Sequence, residues 1–73
     1  MTRRSEITYM QVRLARLASE RWRQPIGEVG RIFAQYRVFE YIRDGYDAFH
    51  VEGDEAVWEE LQPYLRSRGC SLA

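Results

Sequence analysis

Four groups of residues carry side chains suited to chemistry: one histidine, one cysteine, a crowd of acids and a set of arginines. His50 follows Tyr46 and Asp47 closely. In a helical turn Asp47 could hold its ring, but general acid–base work also needs a nucleophile or a substrate pocket. Nothing else in the sequence converges on it. A histidine also suits a helix C-terminus, where its charged form meets the negative end of the dipole. Cys70 is the sole thiol and cannot form an internal disulfide. Only Arg66 or Arg68 could lower its pKa, so an incidental thiol is expected rather than a nucleophile. Asp44, Asp47, Glu52, Asp54, Glu55, Glu59 and Glu60 crowd one stretch. Paired carboxylates can bind metal or move protons, but this spacing matches no calcium loop, and a solvated acidic face is expected. No Cys/His set has zinc spacing. No catalytic residue, metal ligand or cofactor is therefore expected.

The arginines are the stronger signal. All eleven basic residues are Arg, balanced by eleven acids. Residues 1–37 hold eight Arg and three acids, and residues 38–73 hold three Arg and eight acids. A net charge of zero thus hides a basic half and an acidic half, which implies a partner surface or pairing between the halves. Arg3, Arg4, Arg13, Arg16, Arg23, Arg31 and Arg37, with Tyr9 among them, could contact phosphates. Nucleic-acid-binding domains are usually basic overall, and the stretch at 38–50 is too apolar and acidic to enter a groove. Nucleic acid is kept as a rival partner, not the first.

The elements that must position these groups are helical. Residues 5–22 carry Ile7, Met10, Leu14, Leu17 and Ala18 at helical spacing, with Ser5 as the expected N-cap. Tyr9, Arg13, Arg16 and Glu20 lie on the opposite face, and Arg16 with Glu20 has ion-pair spacing. Trp22 lies just off the apolar stripe and is expected to close the end of the core. Arg23-Gln24-Pro25 ends this helix, and Pro25 begins a second over 25–36. Residues 38–50 are the most apolar, with Gly45 interrupting, so this helix is expected at the centre of the core. A strand near Ala48–Val51 is the local alternative. Asp54 is the expected cap of a fourth segment over 54–68, with a break or kink near Pro63. Ends at 1–4 and 70–73 are expected to fray. The fold expected is one all-α bundle of four segments.

A length of 73 residues excludes barrels, doubly wound folds and two-domain machines. No apolar run is long enough to span a membrane, and Met-Thr-Arg-Arg does not begin a signal peptide, so a cytoplasmic protein is expected. Trp58, beside Glu55, Glu59 and Glu60, is the expected anchor of a partner-binding face, with core filling as its alternative. Tyr9, Arg13 and Arg16 form a second such face of opposite sign.

The run Val38-Phe39-Glu40-Tyr41-Ile42, then Tyr46-Asp47-Ala48-Phe49-His50, then Gly53-Asp54-Glu55 resembles a family of short bacterial all-α proteins of unknown function. Its core pattern is tyrosine, an acid, any residue, leucine, histidine, two further residues and glycine. Tyr46, Asp47, His50 and Gly53 match it, and Phe49 stands where leucine is common. Glu28-Val29, Ile32-Phe33 and Tyr36 match the family's second helix, and Tyr64-Leu65 its last pair. The likeness covers about residues 7–66; Pro63 departs from it. It implies no enzymatic activity. Members are often encoded beside ADP-ribosyltransferase-like proteins, in an arrangement like a toxin–antitoxin pair. The implied role is a protein-interaction module, the antitoxin-like or regulatory partner of such a neighbour. Self-association, in which the basic and acidic halves meet between copies, is a further alternative.

Overall fold

Thr2 opens the first helix. In a computed structural model, which describes residues 2–73, its backbone is extended and its side chain accepts the Ser5 N–H at 3.1 Å. That satisfies one of the donors a helix start leaves unpaired. Helix α1 then runs Arg3–Trp22. The cap is therefore Thr2 rather than Ser5, and residues 3 and 4, expected to fray, are helical. At the other end Arg23 takes a left-handed conformation (φ 54°) and its N–H reaches the Ser19 carbonyl. Ser19 Oγ donates to the Gln24 carbonyl, closing the turn ahead of Pro25.

Pro25 lies just outside α2, Ile26–Gln35, and its carbonyl accepts the Glu28 and Val29 N–H groups at 3.0 and 3.1 Å. A two-residue turn at Tyr36 and Arg37 leads into α3, Val38–Phe49. His50 follows as its C-cap, and no strand forms over 48–51. Gly53 then holds φ 94°, a conformation only glycine adopts without strain, and starts α4, Asp54–Ser67. Asp54, expected as the cap, is the first helical residue, and its carboxylate is used elsewhere.

The expected break at Pro63 is absent: α4 is continuous through it. Pro63 is exposed, so the carbonyl it leaves unbonded lies on the wet side of the helix and water can satisfy it. The expected loose tail is also corrected at Cys70. Gly69 turns the chain back at φ 90°, the Cys70 N–H bonds the Leu65 carbonyl at 3.0 Å, and the side chain is only 6% exposed. This is the glycine-led C-terminal wrap that satisfies late helix carbonyls.

The core is built around α1, which packs on each of the other three helices, while α2 also packs on α3. Helix α3, expected at the centre of the core, is thus not the hub. Leu14, Ala18, Val29, Phe33, Val38, Ile42, Val57, Leu61 and Leu65 are fully buried. Trp22 closes one end as expected, with its ring 6.2 Å from Phe33 and 5.3 Å from Trp58. Two polar side chains lock the packing. Gln11 Nε2 donates to the Phe39 carbonyl at 2.8 Å, and the Tyr64 hydroxyl donates to the Tyr36 carbonyl at 2.8 Å. Each gives a helix-to-helix register that apolar contact alone does not specify.

Candidate functional site: the outward face of α1

One face of α1 is spent on the core, which leaves the other to solvent. Arg4, Thr8, Val12, Arg16 and Glu20 recur every four residues along it and all are exposed. Tyr9 lies beside this ridge and is 54% exposed; Val12 is 41% exposed. Both are large apolar groups facing water. A shallow groove of about 500 Å³ runs here, lined by Arg4, Ser5, Thr8, Tyr9, Val12 and Arg16. Across Tyr9 a second groove of about 370 Å³ descends between α1 and α3, lined by Glu6, Met10, Arg13, Tyr46 and His50.

Ion pairs fix the borders of this face. Arg13 Nε reaches Asp54 Oδ2 at 2.9 Å, and its Nη2 reaches Oδ1 at 3.3 Å, a two-pronged contact that holds the planar guanidinium. The same guanidinium lies 5.3 Å from the centre of the Tyr9 ring. Hydrogen bonding to Asp54 raises the Arg13 pKa further above its ordinary value. Arg3 pairs with Asp47 at 2.6 Å, and Arg21 pairs with Glu55. The Arg3 hydrogen bond pulls the Asp47 carboxyl below the usual carboxylate range. Exposed pairs of this kind add little to stability, because water and salt screen them. Their consequence is electrostatic: three arginines of the basic half are answered by three acids of the acidic half. The two expected surfaces of opposite sign are therefore neighbours that partly neutralise each other.

Other placements differ from expectation. Trp58 is 7% exposed and packs on Trp22, so it fills the core and does not anchor a surface. Glu55, Glu59 and Glu60 point outward, but no exposed aromatic stands among them to join them into a docking site. Asp47 does not hold His50. Instead His50 Nδ1 lies 2.9 Å from the Tyr46 carbonyl, and its ring stacks on Tyr46 at 5.0 Å and 13°. With Nδ1 donating to a carbonyl, Nε2 is the ring nitrogen left for the groove. The Tyr46 hydroxyl donates to Glu6 Oε2 at 3.4 Å, and burial pushes its pKa up. Gly53 serves the backbone alone. Arg16 and Glu20, expected to pair with each other, form no ion pair among the described residues. Among those residues no three metal-ligating side chains converge, and no helix is long and apolar enough to cross a membrane.

Val12 and Glu6 were not singled out from the sequence, although the four-residue recurrence from Arg4 to Glu20 could have drawn attention to Val12. Glu6 joins the site only because Tyr46, forty residues away, packs beside it.

The acidic corner between α3 and α4 has its own signature. The Glu52 carboxyl is raised above its ordinary pKa, first by a hydrogen bond shared with Glu60, then by desolvation and by the like charge. A raised folded-state pKa means that this contact stabilises the fold below the ordinary carboxylate range and is lost as pH rises through the folded value. Glu52→Gln is therefore expected to raise the melting temperature near neutral pH and to give no gain in acid. Thermal melts at both pH values check this, and a gain that does not change with pH would refute it.

The sequence pattern of a family described as a protein of unknown function (DUF3791) matches residues 9–68. Comparison with curated proteins and with solved structures gave no match. The matched stretch runs from Tyr9 on the outward face of α1 to the end of α4, and so takes in α2, α3, α4 and the part of α1 from Tyr9 onward, while Arg4, Ser5, Glu6 and Thr8 of the candidate site lie outside it. The chain belongs to the DUF3791 family of proteins of unknown function.

Proposed function

We propose that this protein is a non-enzymatic interaction module that docks another protein on the outward face of α1, with Tyr9 as its anchor. The observation that carries this reading is the 54% exposure of Tyr9 on a rigid helix, beside a guanidinium that Asp54 holds in place. Tyrosine and arginine are, with tryptophan, the residues enriched among those that dominate interface energy; tyrosine buries a large area at low entropic cost, and Asp54 already restrains the Arg13 guanidinium. Catalysis is less well supported. Cys70 is buried and His50 Nδ1 faces a carbonyl, so the chain's one thiol and one imidazole do not form a nucleophile–base pair. Nucleic acid is also less well supported, since Arg3, Arg13 and Arg21 are already answered by acids.

The resemblance to chains encoded beside ADP-ribosyltransferase-like proteins makes such a neighbour the first partner to test, with this chain as its antitoxin-like or regulatory subunit. Titration calorimetry of the full chain with that protein is the experiment. Tyr9→Ala is expected to weaken binding by roughly 30-fold or more, with the circular dichroism spectrum unchanged. Unaltered affinity would remove α1 as the docking face. Binding to a short duplex that falls steeply with salt would transfer the reading to nucleic acid.

A further inference from the structure

The ridge on α1 is complementary to itself when run in the opposite direction. Arg4 and Glu20 stand eight residues either side of Val12, and Thr8 and Arg16 stand four either side. Eight residues of α-helix span about 12 Å. Among the described residues Arg4, Arg16 and Glu20 take part in no ion pair, although most arginines of this chain do. Val12, at the midpoint, is 41% exposed with Tyr9 beside it.

We infer that, in the free protein, α1 pairs antiparallel with α1 of a second copy about a twofold axis at Val12. The inference rests on the docking face proposed above and names an occupant for it. In that arrangement Arg4 of each copy faces Glu20 of the other, and Arg16 of each approaches the Tyr9 ring of the other. Val12 meets its own symmetry mate. Such an interface is isologous: one patch is used twice, and the assembly closes at two. Parallel pairing would set Arg4 on Arg4 and Glu20 on Glu20, so charge selects the antiparallel direction. The ridge follows the i±4n row of α1, so two such ridges pack with their axes crossing at about −50°, which brings Arg4 of one copy and Glu20 of the other to the same side of the interface. One helix pair is a small interface, so the dimer is weak and concentration-dependent.

The test is the mass of the full chain by light scattering and sedimentation, from about 1 µM to about 1 mM, a span chosen for a small interface. A monomer–dimer equilibrium is expected. Arg4→Glu alone and Glu20→Arg alone are each expected to weaken it by roughly tenfold, and the double reversal to restore it. Val12→Arg is expected to abolish it by setting like charges at the axis. All these sites are exposed, so thermal melts should show the fold intact. A strict monomer across the range overturns the pairing while leaving the docking face to the Tyr9→Ala titration. A dimer indifferent to both charge reversals and to Val12→Arg also overturns it, because copies then meet elsewhere.

Discussion

Trp58→Ala is expected to leave the fold with almost no margin of stability at room temperature, with up to about half of the population unfolded. Trp58 is 7% exposed, with its ring 5.3 Å from Trp22, which in turn packs edge-on to Phe33. Truncating a buried tryptophan costs about 3–5 kcal/mol through lost transfer energy and an unfilled cavity. A domain of this length holds about 5 kcal/mol in total, so the loss consumes most of it. Urea titration followed by far-ultraviolet circular dichroism checks the claim, with the remaining Trp22 as a fluorescence probe. A Trp58→Ala protein with an unshifted urea midpoint that has lost only partner binding would return Trp58 to the surface role its acidic neighbours suggested. Glu59→Ala and Glu60→Ala should leave the midpoint nearly unchanged, since both side chains are exposed.

Gly45→Ala is expected to destabilise although it replaces a poor helix former with the best one. A Cβ at position 45 would lie 2.6 Å from Phe49 Cζ and 2.9 Å from its Cδ2, closer than side chains approach. The ring cannot simply swing away, because it is buried and packs against Tyr41 at 5.4 Å. Overpacking of this kind costs about 1–3 kcal/mol, which exceeds the gain of about 1 kcal/mol in helix propensity. Gly30 supplies the control. It too lies inside a helix, but nothing stands within 4 Å of a Cβ there, so Gly30→Ala should stabilise by about 0.5–1 kcal/mol. Opposite shifts in the urea midpoint are the expected pair of results. Stabilisation by both substitutions would mean that Phe49 is free to repack.

The two glycines show what a sequence can and cannot convey. Each is a poor helix former inside a helix, and only the neighbour of each decides the sign. Trp58 shows the same limit from the other side. Its spacing from Leu61 and Leu65 suited a core position, while Glu55, Glu59 and Glu60 suited a surface one, and one turn of helix holds both. The face that turns inward depends on α1, and Trp22 from α1 supplies the stacking partner. Pro63 looked like a break because its cost was assessed without knowing which side of α4 faces water. Cys70 looked like tail because the Gly69 turn returns it to the core only through a bond to Leu65, five residues earlier.

Helix periodicity, the proline and glycine punctuation and the split of charge along the chain were determined by the sequence itself. These are local properties, carried by spacing of 3.6 residues and by backbone preference, and they are enough for four helices close to their observed bounds. Tertiary structure decided which charges cancel and which remain. Arg13 met Asp54 and Arg3 met Asp47 across more than forty residues, and no spacing rule reaches that far. The reason is physical: ion pairing depends on separation in space, which helix packing sets. The charge balance of zero thus became a neutralised seam with one uncovered ridge, from Arg4 through Val12 to Glu20, on the helix that also holds the core together.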